Sequence, residues 1–172
     1  MKESAVPMPA SAVRTAEWDL AYRTHGQALL RYLRRLSPTQ EMAEELLQET
    51  FARAMRREGP EPSSDDVRPW LYRIATNIAI DQIRRARRFR FVPFLGIEPA
   101  PDRDTEQIDL VRRVLRAMPP EQSTALVLRL HEGFAPVEIA ELLGVSEAAV
   151  RSRLVRGRRN FQETYERMGG VL

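Results

Sequence analysis

Every long periodic stretch of this chain repeats its apolar residues at helical spacing, and no segment alternates as a half-buried strand would. In the first stretch Trp18, Tyr22, Leu29, Leu33 and Leu36 keep to one stripe at steps of four, seven, four and three. Ser37-Pro38-Thr39-Gln40 then reads as a capping box with proline at the first helical position. It opens a second helix with Met42, Leu46, Leu47, Phe51 and Met55 inward, which ends near Gly59. The proline- and serine-bearing segment 59–64 reads as a loop, and a third helix follows with Trp70, Ile74, Ile78 and Ile83 inward. Further on come 108–118, a helix opened by Pro119-Pro120 carrying Leu126, Val127 and Leu130 and closed at Gly133, and a final helical pair. The pattern predicts an all-α chain: two small helical bundles joined by a flexible linker, the C-terminal one containing a helix-turn-helix.

Between the bundles, 98–109 holds five acids (Glu98, Asp102, Asp104, Glu106 and Asp109) against the single Arg103, with Pro93, Pro99 and Pro101 close by. The arginines gather elsewhere. Five of the seven residues from Arg84 to Arg90 are arginine, and another five fall among the nine from Arg151 to Arg159. The formal net charge is only +3, yet of 27 basic residues Lys2 alone is a lysine. Guanidinium is the better fork for phosphates and guanine edges, so two arginine runs at the ends of amphipathic helices point to a polyanionic partner. With no cysteine there is no disulfide framework, thiolate metal site or thiol nucleophile. The first residues have no signal-peptide character and no run reaches membrane-spanning length, so the expected location is cytoplasmic, without membrane contact of its own.

The most specific local pattern runs from Pro136 to Leu154. A short helix with Ile139, Ala140 and Leu143 inward stops at Gly144, which can take the positive φ a tight turn demands. Ser146 can cap the next helix, whose Val150 and Leu154 pack back at i, i+4. At about 100° per residue this turns Ala148, Ser152, Val155, Arg156 and Arg159 outward and leaves Arg151 and Arg153 on the flanks. An arginine-rich outward face on the second helix suits a major-groove reader.

The third helix, from Arg68 to Arg88, combines Trp70 and Tyr72 near its start, Asn77 midway and the arginine run at its end. Aromatic rings beside a basic track suit unstacked single-stranded bases. Heading the apolar stripe, Trp70 reads as core, and Tyr72 as the more exposed ring. Asn77 fits either a solvated polar residue or an amide reading a base edge. On the second helix Glu41, Glu44, Glu45 and Glu49 form an acidic surface, fit either for solvent or for docking on a basic protein.

From about Trp18 to Met168 the chain resembles the extracytoplasmic-function subfamily of bacterial sigma-70-type RNA polymerase sigma factors. Three blocks carry the resemblance, in the expected order: Ala43-Glu-Glu-Leu-Leu-Gln-Glu-Thr-Phe51, Trp70-Leu-Tyr-Arg-Ile-Ala-Thr-Asn77 through Arg88, and Glu138-Ile-Ala through Val150-Arg-Ser-Arg-Leu-Val-Arg156. It implies region 2 over 14–90, a linker over 91–107 and region 4 over 108–168, and a factor that directs promoter-specific initiation. Glu41, Glu44, Glu45, Gln48 and Glu49 would dock on the clamp helices of the largest polymerase subunit, and region 4 on the flap of the second-largest. Tyr72, Asn77, Arg84, Arg85, Arg87 and Arg88 would serve the melted minus-ten element and its backbone. Arg151, Ser152, Arg153, Val155, Arg156 and Arg159 would serve the double-stranded minus-thirty-five element. An anti-sigma factor is an implied partner, and no cofactor or metal is implied.

Two features depart from the family. The 58–69 loop, Glu-Gly-Pro-Glu-Pro-Ser-Ser-Asp-Asp-Val-Arg-Pro, lacks the aromatics with which members usually capture a flipped base, and Phe89-Arg-Phe-Val-Pro-Phe-Leu95 is an apolar patch without a family role. Nothing in the chain reads as an enzyme: His25 and His131 are its only histidines, neither has metal-ligand spacing, and His131-Glu132 lacks the second histidine of a zinc-protease helix. A stand-alone helix-turn-helix regulator would need a dimerisation helix that the two bundles do not spare. A sigma mimic acting only on an anti-sigma protein would not keep the outward arginines.

Overall fold

The computed structural model describes residues 10–56, 59–60, 64–88 and 106–171, the backbone alone for 10–14 and for Glu106. Seven helices follow one another: α1 (Ala10–Leu36), α2 (Gln40–Arg56), α3 (Val67–Arg88), α4 (Glu106–Ala117), α5 (Pro120–Leu130), α6 (Pro136–Leu143) and α7 (Glu147–Arg167). No strand occurs among the described residues. Most of the expected linker and the whole of the 89–95 patch lie outside them.

The first half is a three-helix bundle in which α1 packs on α2 and α3, and α2 on α3. Trp18, Leu29, Leu33 and Leu36 are buried as their spacing predicts, but Tyr22 is 46% exposed and only sets its ring edge-on to Phe51, 4.9 Å away. Tyr32 fills the centre instead. It is fully buried, and its hydroxyl shares a 2.7 Å hydrogen bond with the Thr76 hydroxyl of α3, which satisfies both buried groups. The α1–α2 turn differs from the expected capping box: α2 begins at Gln40, and the Thr39 hydroxyl, not Ser37, accepts from the Met42 amide at 3.2 Å. Met55, near the end of the α2 stripe, is exposed.

In the second half α7 is the spine, with α4, α5 and α6 all against it. Proline opens both α5 and α6, where its missing N–H is one that a helix start leaves unpaired anyway. Leu126 and Val127 are buried, whereas Leu130, in the last turn of α5, is 64% exposed. The crossing of α7 over α5 is close because position 157 is glycine: a Cβ there would lie 3.2 Å from Leu126 Cγ.

The two halves do not stand apart. Helix α3 packs on α5 and α6, and α1 on α4 and α5, so that the buried apolar residues of both halves run together in one cluster. Sequence composition shows two amphipathic bundles, but it does not reveal this docking, because charged and aromatic groups carry much of it.

Candidate nucleic-acid and polymerase interfaces

The helix-turn-helix is built as its residues dictate. Gly144 ends α6 at φ 64°, in the left-handed region, and its N–H reaches the Ala140 and Glu141 carbonyls. The Glu138 carboxylate turns back to accept from the Ala135 amide at 2.5 Å, and Ser146 caps α7 by accepting from the Ala149 amide at 3.2 Å. Val150 and Leu154 are buried, as is Ile139 opposite them. Ala148, Ser152, Val155, Arg156 and Arg159 are all exposed, Arg151 is exposed, and Arg153 is half-buried. Two of these arginines are paired along their own helix: Arg151 donates to Glu147 at 2.6 Å and Arg159 to Glu163 at 2.8 Å. Such exposed i, i+4 pairs contribute at most about 0.5 kcal/mol, so a phosphate can replace the carboxylate at little cost.

On α3 Asn77 and all four arginines, Arg84, Arg85, Arg87 and Arg88, are exposed. Arg84 and Arg87 also reach the second half, as does Tyr72. Arg84 pairs with Glu121 of α5 at 2.6 Å, and Arg87 donates to the backbone carbonyls of Met118 at 2.6 Å and Arg116 at 3.1 Å. The expected exposure of the two aromatics is reversed: Trp70 is half-buried, tilted on Trp18 at 6.2 Å, whereas Tyr72 is buried. The Tyr72 ring contacts Tyr32 of its own half and Phe134 of the other, each at 5.2 Å, and its hydroxyl donates to the Glu132 carboxylate at 2.5 Å. Helical periodicity misassigns Tyr72 because the group that covers it comes from 60 residues away. Burial, and then the bond to Glu132, push its hydroxyl above the ordinary tyrosine range.

Three residues that sequence reasoning passed over complete this junction. Arg68, at the head of α3, donates to the Glu132 carbonyl at 2.7 Å and lies over the rings of Phe134, at 4.3 Å, and Tyr72, at 5.3 Å. Phe134 is buried, although it sits in a loop with no periodicity to mark it. Glu132 had sequence interest only as half of a metal motif. Below the junction Arg116 donates to the Ser37 and Pro38 carbonyls at 3.1 and 3.2 Å, tying α4 to the α1–α2 turn.

On α2, Glu41, Glu44, Glu45 and Gln48 are exposed and Glu49 is half-buried. Gln40 donates to Glu44 at 2.7 Å. Glu49 is the least free of the set: Arg53 donates to it at 2.6 Å and holds its carboxyl below the usual range, with Arg56 at 3.9 Å.

Sequence models of two families match this chain. Sigma-70 region 2 covers residues 21–89, and Sigma-70 region 4 covers residues 108–161, the half that holds the helix-turn-helix. The ECF RNA polymerase sigma factor SigM of Mycobacterium tuberculosis is 35% identical over 144 residues, 82% of this chain and 73% of that protein. The chain belongs to the ECF sigma factors. It is a sigma factor of promoter-specific transcription initiation, with matches to regions 2 and 4.

Among its other relatives, SigL of M. tuberculosis is 31% identical over 173 residues, which covers 93% of this sigma factor and 95% of that one. SigE of Mycolicibacterium smegmatis is 37% identical over 158 residues, 85% of this chain and 60% of that protein. The fold matches the sigma factor RpoE of Bartonella quintana, solved in complex with the anti-sigma factor NepR, with a TM-score of 0.68, 25% identity and coverage of 87% of this chain and 96% of that one. It also matches CnrH, solved with the cytosolic domain of CnrY, with a TM-score of 0.64, 24% identity and 87% coverage of both chains. Among the described residues no helix is long and apolar enough to cross a membrane.

Proposed function

We propose that region 4 reads the minus-thirty-five element by laying α7 in the major groove, with Ser152, Val155 and Arg156 facing base edges and Arg151, Arg153 and Arg159 holding phosphates. One observation carries this: the exposed run Ser152, Val155, Arg156, Arg159 follows directly on the capped N-terminus of a helix anchored by Val150 and Leu154. A helix presented by its N-terminal turns is the form in which a helix-turn-helix reaches base edges, and a guanidinium can donate twice to guanine.

Helix α3 serves the minus-ten element. Its exposed Asn77 would meet a melted base, while Arg84, Arg85, Arg87 and Arg88 follow the backbone and Tyr72 serves from the opposite end of the helix. Helix α2 docks on the clamp helices of the largest polymerase subunit through Glu41, Glu44, Glu45, Gln48 and Glu49. Region 4 meets the flap of the second-largest subunit, and the structural likeness to a sigma factor bound by NepR supports an anti-sigma partner. The catalysis of RNA synthesis belongs to the polymerase.

The experiment is in vitro transcription from genomic fragments by core polymerase, with and without the protein. Promoter-specific transcripts should appear only when it is added, and the double variant Glu45→Lys, Glu49→Lys should lose them together with core binding in a pull-down. Unchanged capture of core by that variant would refute the α2 assignment.

A further inference from the structure

Helix α3 carries six arginines and one acid, Asp81. At about 100° per residue its exposed groups Arg73, Asn77, Asp81, Arg84 and Arg88 fall within about 80° of one another, on a single stripe. The carboxylate thus lies among cations and one amide, a turn away from Asn77 on the side of the arginine run. Arg84 and Arg85 follow it by three and four residues, the spacing at which a helix pairs opposite charges. No such pair forms. Arg84 is turned to Glu121 at 2.6 Å, and Asp81 has no hydrogen-bond or ion-pair partner among the described residues.

An unpaired carboxylate is a liability on a phosphate track, because it repels the phosphates that the neighbouring arginines attract. The same group accepts hydrogen bonds and donates none, which suits the donor side of a base edge. The four bases answer it differently. In the major groove cytosine presents an amino donor with no acceptor beside it, whereas adenine sets N7 next to its amino group, guanine offers N7 and O6, and thymine offers O4 and a methyl group. A carboxylate is therefore matched by cytosine and opposed by an acceptor on each of the others.

We propose that Asp81 is a specificity-determining residue of region 2, which accepts a hydrogen bond from the N4 amino group of a cytosine next to the base that Asn77 meets. The proposal rests on the assignment of α3 to the minus-ten element. Arg73 and Arg88 stand on either side of Asp81 along the stripe, where each can hold a phosphate. The carboxylate between them is then brought against a base edge and not against the backbone. It works by exclusion as well as by attraction: where the base is not cytosine, its charge has no donor and only the nearby phosphates to face.

The test is binding of holoenzyme, made from the full chain and core polymerase, to a promoter and to its variants with each base at each minus-ten position. The wild type should lose about tenfold in affinity when one particular cytosine is replaced, a cost usual for a wrong base pair. Asp81→Ala should bind all four bases at that position nearly alike. Asp81→Asn should move the preference from cytosine to adenine, whose N7 and amino group an amide matches together. A role in folding alone cannot produce that exchange. Asn77→Ala and Arg88→Ala report separately on α3. If either of them weakens binding while Asp81→Ala keeps the full cytosine preference, the role of Asp81 is refuted and α3 stays on the minus-ten element. Wild-type binding by all three alanine variants refutes both assignments. A wild type without a cytosine preference, or an Asp81→Ala variant that loses discrimination only for another base, refutes the cytosine reading.

Discussion

Gly157 and Leu126 meet where α7 crosses α5, so closely that a Cβ on the glycine would lie 3.2 Å from Leu126 Cγ, 3.3 Å from its Cδ1 and 3.4 Å from the Gln122 carbonyl oxygen. Two effects oppose each other at this position. Alanine in a helix interior is better than glycine by about 1 kcal/mol, while forcing an extra methyl into a packed contact costs about 1 to 3 kcal/mol. Leu126 can yield by a few tenths of an ångström, but the Gln122 backbone cannot. Gly157→Ala should therefore lie within about 1 kcal/mol of wild type, and Gly157→Val, bulkier and β-branched, should lose about 2 kcal/mol or more. Denaturant unfolding of the two variants checks this. A wild-type midpoint for Gly157→Val would show that the helices have room to part.

The Tyr32–Thr76 bond links α1 to α3 with both hydroxyls buried. Tyr32→Phe leaves the Thr76 hydroxyl without its partner and should cost about 1 to 3 kcal/mol. Adding Thr76→Val removes the orphaned group at nearly equal volume, so the double variant should recover part of the loss. A double-mutant cycle by thermal unfolding measures the coupling. Strictly additive losses would mean that the two hydroxyls are satisfied independently.

What the sequence makes legible here is what local rules govern. The helix-turn-helix follows from Gly144, Ser146, Val150 and Leu154, each within a few residues of the groups it serves, and the outward arginine face of α7 follows from them by geometry. Tyr72 is the opposite case. Its stripe position suggests exposure, and it is buried because Phe134 and Glu132 arrive from a distant loop. Arg68, Glu132 and Phe134 belong to no periodic pattern, so only the tertiary fold brings them together. Gly157 sits inside an arginine run that draws attention to charge, whereas its own role is steric.

Stability should fall as the solution is acidified through the histidine range. Burial holds both His25 and His131 below the ordinary histidine value, helped by Arg68 beside the first and Arg35 beside the second. A depressed histidine pKa means that the unfolded chain binds more protons than the folded one in that range. Stability therefore rises with pH there and is lost as pH drops from about 6.5 toward the folded values. The carboxylates held low, Glu49 and Glu121, lose their contribution only in more acid solution. Melting temperatures from pH 7.5 to 5.5 should decline in the wild type and decline less in His25→Asn, His131→Asn. Parallel curves for the two proteins would assign the acid sensitivity to other groups.

Arg156 and Arg151 lie on the same exposed stretch of α7, yet their contacts differ. Arg151 is committed to Glu147 through two hydrogen bonds, at 2.6 and 3.1 Å, whereas Arg156 reaches only the Ser152 carbonyl, at 3.4 Å. The freer guanidinium is the better placed to read a base, and the carboxylate-held one to exchange its partner for a phosphate. Arg156→Ala should cost about 1 to 3 kcal/mol in holoenzyme binding to its promoter and relax preference at one position of the minus-thirty-five element. Arg151→Ala should weaken all sequences alike and lower the salt slope by about one. Binding to a promoter and its single-position variants at several salt concentrations separates the two. Wild-type affinity and salt slope in both variants would remove α7 as the recognition helix, because no other described helix of region 4 offers an exposed arginine row on a capped N-terminus.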